Sequence, residues 1–356
     1  MQNNFWKNKK VLITGHTGFK GSWLTLILSN YGAKIAGYAL NPISKPNFFD
    51  DLKLTKYLRK DTRDDILNLN KLKTVIKKYQ PEVIFHLAAQ SSVLVSYNTP
   101  KETIGTNVIG TINILEAIRN NKSVKSLIIA TTDKVYLNLE KKKSFKENDS
   151  LGGHDIYSAS KAACEIVVQS YAKSFFLNTN CNIATVRSGN CIGGGDWTKD
   201  RIVKDCAESF LNNKKLTIRH PNATRPWQHV MEPLFGYIKL SEKLFKNRKY
   251  VGSWNFGPNI RSNLKVLDVA KFGKKFLNSK SSIIIKKSKL YESTNLSLNS
   301  NKSQKYLQWK THLDAKLALR LTLDWYKYHK INHSIEKVIY FTLNQIKNYI
   351  KLLKKK

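Results

Sequence analysis

The chain has 356 residues, 41% of them hydrophobic, and a formal net charge of +36. That length suits two domains and a core that needs no disulfide or metal staple. No apolar run approaches the ~20 residues of a membrane helix, and lysines dispersed along the chain without a motif read as compositional bias, with no specific nucleic-acid site.

In chain order, the basic start lacks the apolar stretch of a secretory leader, and a first strand is expected at Lys9–Thr14. Gly15-His16-Thr17-Gly18-Phe19-Lys20-Gly21 follows it and opens a helix expected over Gly21–Tyr31. Glycines let a backbone approach a pyrophosphate, and a helix N-terminus offers N–H donors and partial positive charge. A chance glycine turn is the bland alternative, which the strand before and the helix after disfavour. Gly15, Thr17, Gly18, Phe19, Lys20 and Gly21 are therefore cofactor-binding candidates.

A second strand is expected at Lys34–Leu40, and the loop 41–48 contains Pro42 and Pro46. No acidic residue stands at Leu40-Asn41, so the carboxylate that commonly selects NAD over NADP is missing there. Asp61 is expected just after a third strand, where a carboxylate can accept from an adenine amino group; a solvated loop is the plainer reading. A helix at Leu69–Tyr79 and a strand at Glu82–His86 come next. That strand ends in Leu87-Ala88-Ala89-Gln90, small enough to admit a dinucleotide or to pack tightly. A long helix (Thr99–Asn120), a strand (Ser126–Thr131), a helix (Tyr157–Phe176) and a strand (Asn182–Arg187) complete the series. This alternation predicts an α/β, Rossmann-type, doubly wound parallel sheet covered on both faces.

Beyond Gly189 the pattern loosens into short elements and Trp-bearing loops, expected to form a smaller C-terminal α/β substrate domain. The expected boundaries are 1–188 for the dinucleotide domain, with 228–247 returning to it, and 189–227 with 248–356 for the smaller domain. Ile335, Ile339, Leu343, Ile346, Ile350 and Leu353 form a helical stripe, expected to pack on the body instead of a membrane. The four cysteines form no CxxC pair and no zinc spacing. No metal is expected, and the thiols are expected to be reduced in a cytoplasmic protein.

Thr131-Thr132-Asp133-Lys134 ends a strand, and ligands of parallel sheets bind at the carboxyl ends of strands. Tyr157 and Lys161 lie four apart on one helical face. A lysine beside a phenol lowers its pKa, so the phenol can serve as a base.

On these residues, with Asn107 in its TNVIGT run, the chain resembles the extended short-chain dehydrogenase/reductase (NAD-dependent epimerase/dehydratase) family. The strings GFKGSWL, TTDKVY, LGGHDIYSASKAACE, RSGNCIGGGDW, DRIVKDC, ATRPWQHVMEPLFGY, WNFGP and TLNQIKNY are similar to those of its CDP-glucose 4,6-dehydratases, over nearly the whole chain. The resemblance implies NAD, used and regenerated within one turnover, and loss of water from CDP-glucose to give CDP-4-dehydro-6-deoxyglucose. It implies Tyr157 as base at the C4 hydroxyl, Thr132 on the same oxygen, Lys161 tuning Tyr157, and Asp133 and Lys134 as acid and base of the elimination. It adds Asn107 to the cofactor contacts and assigns Gln90, Asn190, Arg201 and Arg225 to the nucleotide sugar, although Arg225 could instead hold a loop through a carboxylate. It also implies a homodimer or dimer of dimers through helices Thr99–Asn120 and Tyr157–Phe176, and a product serving surface-polysaccharide deoxysugars.

One departure stands out. Ser91-Ser92-Val93 replace a basic residue the family often has after LAAQ, so a phosphate contact is lost or supplied elsewhere. An epimerase or reductase on the same fold would need Tyr157 and Lys161 but no elimination pair. A nucleic-acid-binding protein would need none of Thr132, Tyr157 or Lys161. Trp197 and Trp227 are expected in aromatic packing ahead of nucleotide stacking.

Overall fold

The computed structural model describes residues 4–140, 143–259, 262–286, 296–332 and 334–354. Its central sheet has seven parallel strands. Six are β1 (Lys10–Thr14), β2 (Lys34–Ala39), β3 (Lys60–Arg63), β4 (Val83–His86), β5 (Ser126–Ala130) and β6 (Asn182–Ser188). In space they run β3-β2-β1-β4-β5-β6, and the strand Gly252–Phe256 continues the sheet beyond β6. Strand order reverses between β1 and β4, which opens a crevice at their carboxyl ends.

Alternate side chains of the inner strands enter separate cores. Val11, Ile13, Phe85, Ile128 and Val186 face the helices Phe19–Asn30 and Met231–Lys246, with the C-terminal helices Ala315–Ile331 and Ile335–Lys354 in the same core. Leu12, Ala36, Ile84, Leu127, Ile129 and Ile183 face the helices Leu69–Tyr79, Gly110–Ile118 and Ile156–Phe175. Burial on both faces explains why the strands read as continuous apolar runs. The terminal helix buries Val338, Ile339, Ile346 and Tyr349 against the body.

The smaller part is built from the helices Ile202–Leu211 and Val266–Phe276 and from short strand pairs. Leu216–Ile218 pairs with Ile283–Ile285 in parallel, and Thr224–Pro226 pairs with Asn263–Lys265 antiparallel. Cys206, Phe210, Leu216, Ile218 and Ala270 give it a core of its own.

Several elements differ from the sequence reading. The first helix starts at Phe19, because Gly18 is already its cap. The helix expected over Thr99–Asn120 is composite: Pro100 opens Pro100–Ile104, a π-helical turn follows at Gly105–Ile109, and an α-helix runs over Gly110–Ile118. Gly252–Phe256, from a stretch assigned to the smaller domain, is a strand of the central sheet. Asp61 lies inside β3 and not after it.

Candidate active site

A cleft of about 1030 Å³ runs from the Gly-rich turn, across the ends of β1, β4, β5 and β6, to the smaller part. That is at or above the upper end of single-ligand pockets. At one end Gly15 has φ +74°, and a Cβ there would lie 2.6 Å from the Ala88 nitrogen. A Cβ on Gly21 would lie 2.1 Å from the Gly15 carbonyl. These contacts hold the turn against β4 and leave its backbone facing the cleft. Helix Phe19–Asn30 has no side-chain cap on Gly18 and no acidic residue in its first turn. Its first N–H groups are therefore suited to a phosphate.

Thr132 is extended at the end of β5, and Asp133–Val135 form a short 3-10 turn. The Thr132 hydroxyl donates to Asp133 Oδ1 at 3.1 Å. Asp133 Oδ2 is buried with no hydrogen-bond partner among the described residues, and a Cβ on Gly189 would come within 3.2 Å of it. Burial pushes the Asp133 carboxyl up, against the pull of Lys134, Thr132, Arg225 and Lys20. A carboxyl raised in this way is suited to carry a proton. The Lys134 backbone N–H donates to Thr132 Oγ1 at 3.4 Å.

Tyr157 sits in the first turn of helix Ile156–Phe175, whose N-cap Asp155 accepts from the Ser158 N–H at 2.9 Å. Burial pushes the Tyr157 phenol up, while Thr132, Lys20 and Arg201 pull it down. Lys161, the expected partner, donates from Nζ to the Ala130 carbonyl at 3.2 Å. Burial and the nearby Lys20 push the Lys161 ammonium down.

Every expected site residue lines this cleft except Asp61, Gln90 and Asn107. Asp61 is tied to His16 Nε2 at 2.9 Å and to Arg63 at 2.8 Å, which holds its carboxyl down to about 2 despite burial. Its side chain fastens β3 to the Gly-rich turn. Asp64 and Asp65, just beyond β3, line the cleft in its place. Asn107 accepts from the Gln90 N–H at 2.9 Å and donates to Ser160 Oγ at 2.8 Å, joining the end of β4 to the Tyr157 helix. Gln90 donates to the Ser92 carbonyl at 3.0 Å and to Thr103 Oγ1 at 2.9 Å.

On the opposite wall Arg225 is buried and donates to the Thr224 carbonyl at 3.0 Å. Asn190 accepts through its backbone carbonyl from the Gln228 N–H at 3.1 Å. Arg201 reaches across the cleft, with Nη2 3.3 Å from the Ser91 carbonyl. A cation thus stands at the loop where the sequence lacks one. Trp227 donates to the Leu264 carbonyl at 3.0 Å, and Trp197 packs edge-on against Tyr326, their centroids 5.1 Å apart. Both pack in this way and both also line the cleft. Among the described residues no group of three or more His, Cys, Asp or Glu is placed to hold a metal.

Comparison with known proteins shows the family and the fold. The profile of the GDP-mannose 4,6 dehydratase family matches residues 12–322. A CDP-glucose 4,6-dehydratase of Salmonella typhimurium is 44% identical over 264 residues, 72% of this chain and 73% of that protein. A dTDP-glucose 4,6-dehydratase of Haemophilus influenzae is 25% identical over 90% of this chain and 98% of its own. The crystal structure of a Bacillus anthracis dTDP-glucose 4,6-dehydratase in complex with NAD superposes with a TM-score of 0.76 at 22% identity, covering 90% of this chain and 96% of that one. A Thermotoga maritima UDP-glucose 4-epimerase bound to UDP-glucose reaches a TM-score of 0.78 at 19% identity, over 90% and 99% of the two chains.

Proposed function

Since the chain belongs to the GDP-mannose 4,6 dehydratase family, we propose that it is an NAD-dependent lyase that dehydrates CDP-glucose to CDP-4-dehydro-6-deoxyglucose. The observation that carries this reading is that Asp133 and Lys134, just beyond β5, line the same cleft as Tyr157. An epimerase has no use for an elimination pair. The choice of CDP follows the Salmonella relative.

The turn fits a dinucleotide, because a Cβ on Gly15 or Gly21 would collide with backbone atoms and the helix start is uncapped. Lining the adenosine end are Asp64 and Asp65, and no lysine or arginine lines it between Tyr38 and Ile66 among the described residues. NAD as the cofactor is supported by the NAD complex of the Bacillus anthracis dehydratase. When bound, NAD supplies the oxidation at C4 and the matching reduction at C6.

The protein's own groups do the rest. Tyr157 takes the proton of the C4 hydroxyl, and Thr132 fixes that oxygen. The C4 ketone acidifies the C5 proton, which Lys134 removes. Asp133, kept protonated by burial, gives its proton to the departing C6 hydroxyl. Arg225 and Arg201 neutralise the pyrophosphate, since a guanidinium fork matches phosphate oxygens.

A homodimer is supported by Ile104, Ile109, Ile166 and Phe175, exposed on the composite helix and the Tyr157 helix. Leu115, by contrast, is wholly in the core. Sedimentation showing only monomer at micromolar protein would contradict the dimer. A cytoplasmic location is supported by four unpaired cysteines, and recovery of the native protein from an oxidising compartment would count against it. The activity itself is tested by incubating the protein and NAD with CDP-, dTDP- and GDP-glucose and detecting the 4-keto sugar in alkali. CDP-glucose should give the largest signal. A signal from none of the three overturns the dehydratase reading.

A further inference from the structure

The first N–H groups of a helix find no partner within it. In helix Ile156–Phe175 the Asp155 carboxylate takes the Ser158 N–H at 2.9 Å and the Ser158 hydroxyl at 2.7 Å. The Tyr157 N–H goes elsewhere, to Ser96 Oγ at 3.2 Å. Ser96 lies in the short helix Val93–Asn98, is 0% exposed, and donates its own proton to the Val93 carbonyl at 2.7 Å. With the proton committed there, its oxygen is left to accept from Tyr157. The short helix is itself fastened: the Ser92 N–H donates to Gln90 Oε1, and Gln90 Nε2 donates to Thr103 Oγ1. Ser96 thus belongs to a braced segment whose Val93 and Leu94 line the cleft, while the residue it bonds carries the phenol.

We propose that Ser96 is a positioning residue for the base at C4, holding the Tyr157 N–H and thereby fixing where the phenol stands in the cleft. This deepens the dehydratase reading and rests on Tyr157 being that base. Helix ends fray, and a side chain in the first turn is placed only as well as the backbone beneath it. Asp155 fixes that turn at Ser158, while Ser96 fixes it at Tyr157 itself, from a segment 61 residues away. Placement matters, because a catalytic group displaced by about 1 Å can lose about a hundredfold in rate. The electrostatics agree: burial pushes the Tyr157 phenol up, and a hydrogen bond with Thr132 is the largest pull downward. A phenol that drifts from its place loses that pull.

The test reads the phenol as well as turnover. Protein carrying 3-fluorotyrosine, whose phenol titrates lower than that of tyrosine, is loaded with NAD and followed by 19F NMR, with the Tyr157 signal assigned through Tyr157→Phe. Ser96→Ala removes the acceptor. Ser96→Cys fills the same space with a weak acceptor and, should Ser96→Ala fold poorly, must behave as it does. In both, the Tyr157 midpoint should rise by about 0.4–1 pH unit, the scale of one hydrogen bond lost by the phenol. Ser96→Thr keeps the hydroxyl and should return the midpoint to that of the parent. With CDP-glucose, kcat should fall about tenfold or more while KM stays within about twofold, because Ser96 does not line the cleft. An unchanged midpoint in both variants overturns the proposal even if their melting temperatures fall, and so does a loss confined to KM. Because the titration needs no nucleotide sugar, it decides the proposal whether or not CDP-glucose is the substrate.

Discussion

Glu165 and Arg187 form an ion pair at 2.8 Å in which both side chains are 0% exposed. It lies directly beneath the catalytic turn. The Glu165 carboxylate also accepts from Thr131 Oγ1 at 2.5 Å, Thr185 Oγ1 at 2.6 Å and Ser253 Oγ at 3.0 Å, and Arg187 donates further to the Tyr136 hydroxyl at 2.7 Å. Burial pushes the Glu165 carboxyl up, but the bonds and charge of Arg187 overcome this and leave it below the ordinary value. Glu165→Ala would leave a guanidinium buried without its counter-ion, a loss of about 3–5 kcal/mol. At roughly 1.3 °C per kcal/mol for a chain of 356 residues, the melting midpoint should fall by roughly 4–7 °C. The double variant Glu165→Leu, Arg187→Met removes both charges and should recover more than half of that loss. Thermal melts and urea titrations of the parent, both single variants and the double variant provide the assay. A Glu165→Ala variant within about 1 kcal/mol of the parent, the range of an ordinary surface change, would refute the reasoning. So would a double variant less stable than Glu165→Ala.

The roles at the cleft separate by half-reaction. Lys134→Met should still oxidise C4 but stall before elimination, so adding CDP-glucose should produce the near-ultraviolet absorbance of reduced nicotinamide. Tyr157→Phe should produce none, and normal dehydration by Lys134→Met would remove Lys134 from the role of C5 base. Acid sensitivity should come partly from His86, whose ring lies between Thr14 Oγ1 at 2.7 Å and Thr111 Oγ1 at 3.3 Å and is pushed to about 3 by burial and Lys161. The folded value lies below the unfolded value of 6.5, so this stability is complete above pH 6.5 and is lost as pH falls toward 3. At pH 5 the loss should reach about 2 kcal/mol. His86→Asn, which cannot titrate, should flatten that part of the melting-against-pH curve, and an unchanged slope would count against the assignment.

What the sequence could show depended on how local the cause was. The Gly-rich turn was legible because Gly15 and Gly21 are required by contacts within the strand–turn–helix unit. Helix Leu69–Tyr79 was legible because Asn68 caps it through the Lys71 N–H at 3.1 Å. The break in the helix expected over Thr99–Asn120 was not. It follows from Asn107 turning to Gln90 and Ser160, and from its carbonyl accepting from both Thr111 and Cys164. The edge strand Gly252–Phe256 has a period-two pattern too short to stand out: Trp254 and Phe256 enter the core, while Ser253 and Asn255 bond Glu165 and Tyr136. The tie between Asp61 and His16 was not legible, because no spacing rule announces a partner that the Gly-rich turn brings to β3. Helical spacing puts Tyr157 and Lys161 on one face, but it does not announce that the Lys161 ammonium turns to the Ala130 carbonyl at 3.2 Å.

The central claim is that one cleft performs oxidation, elimination and reduction without releasing what it removes from C4. The most direct measurement uses CDP-glucose carrying deuterium at C4, with the protein and a catalytic amount of NAD. The product should be CDP-4-dehydro-6-deoxyglucose with deuterium at C6, as mass spectrometry and NMR would show. Deuterium lost to solvent or found in free cofactor, or a product that keeps its C6 hydroxyl, would contradict it.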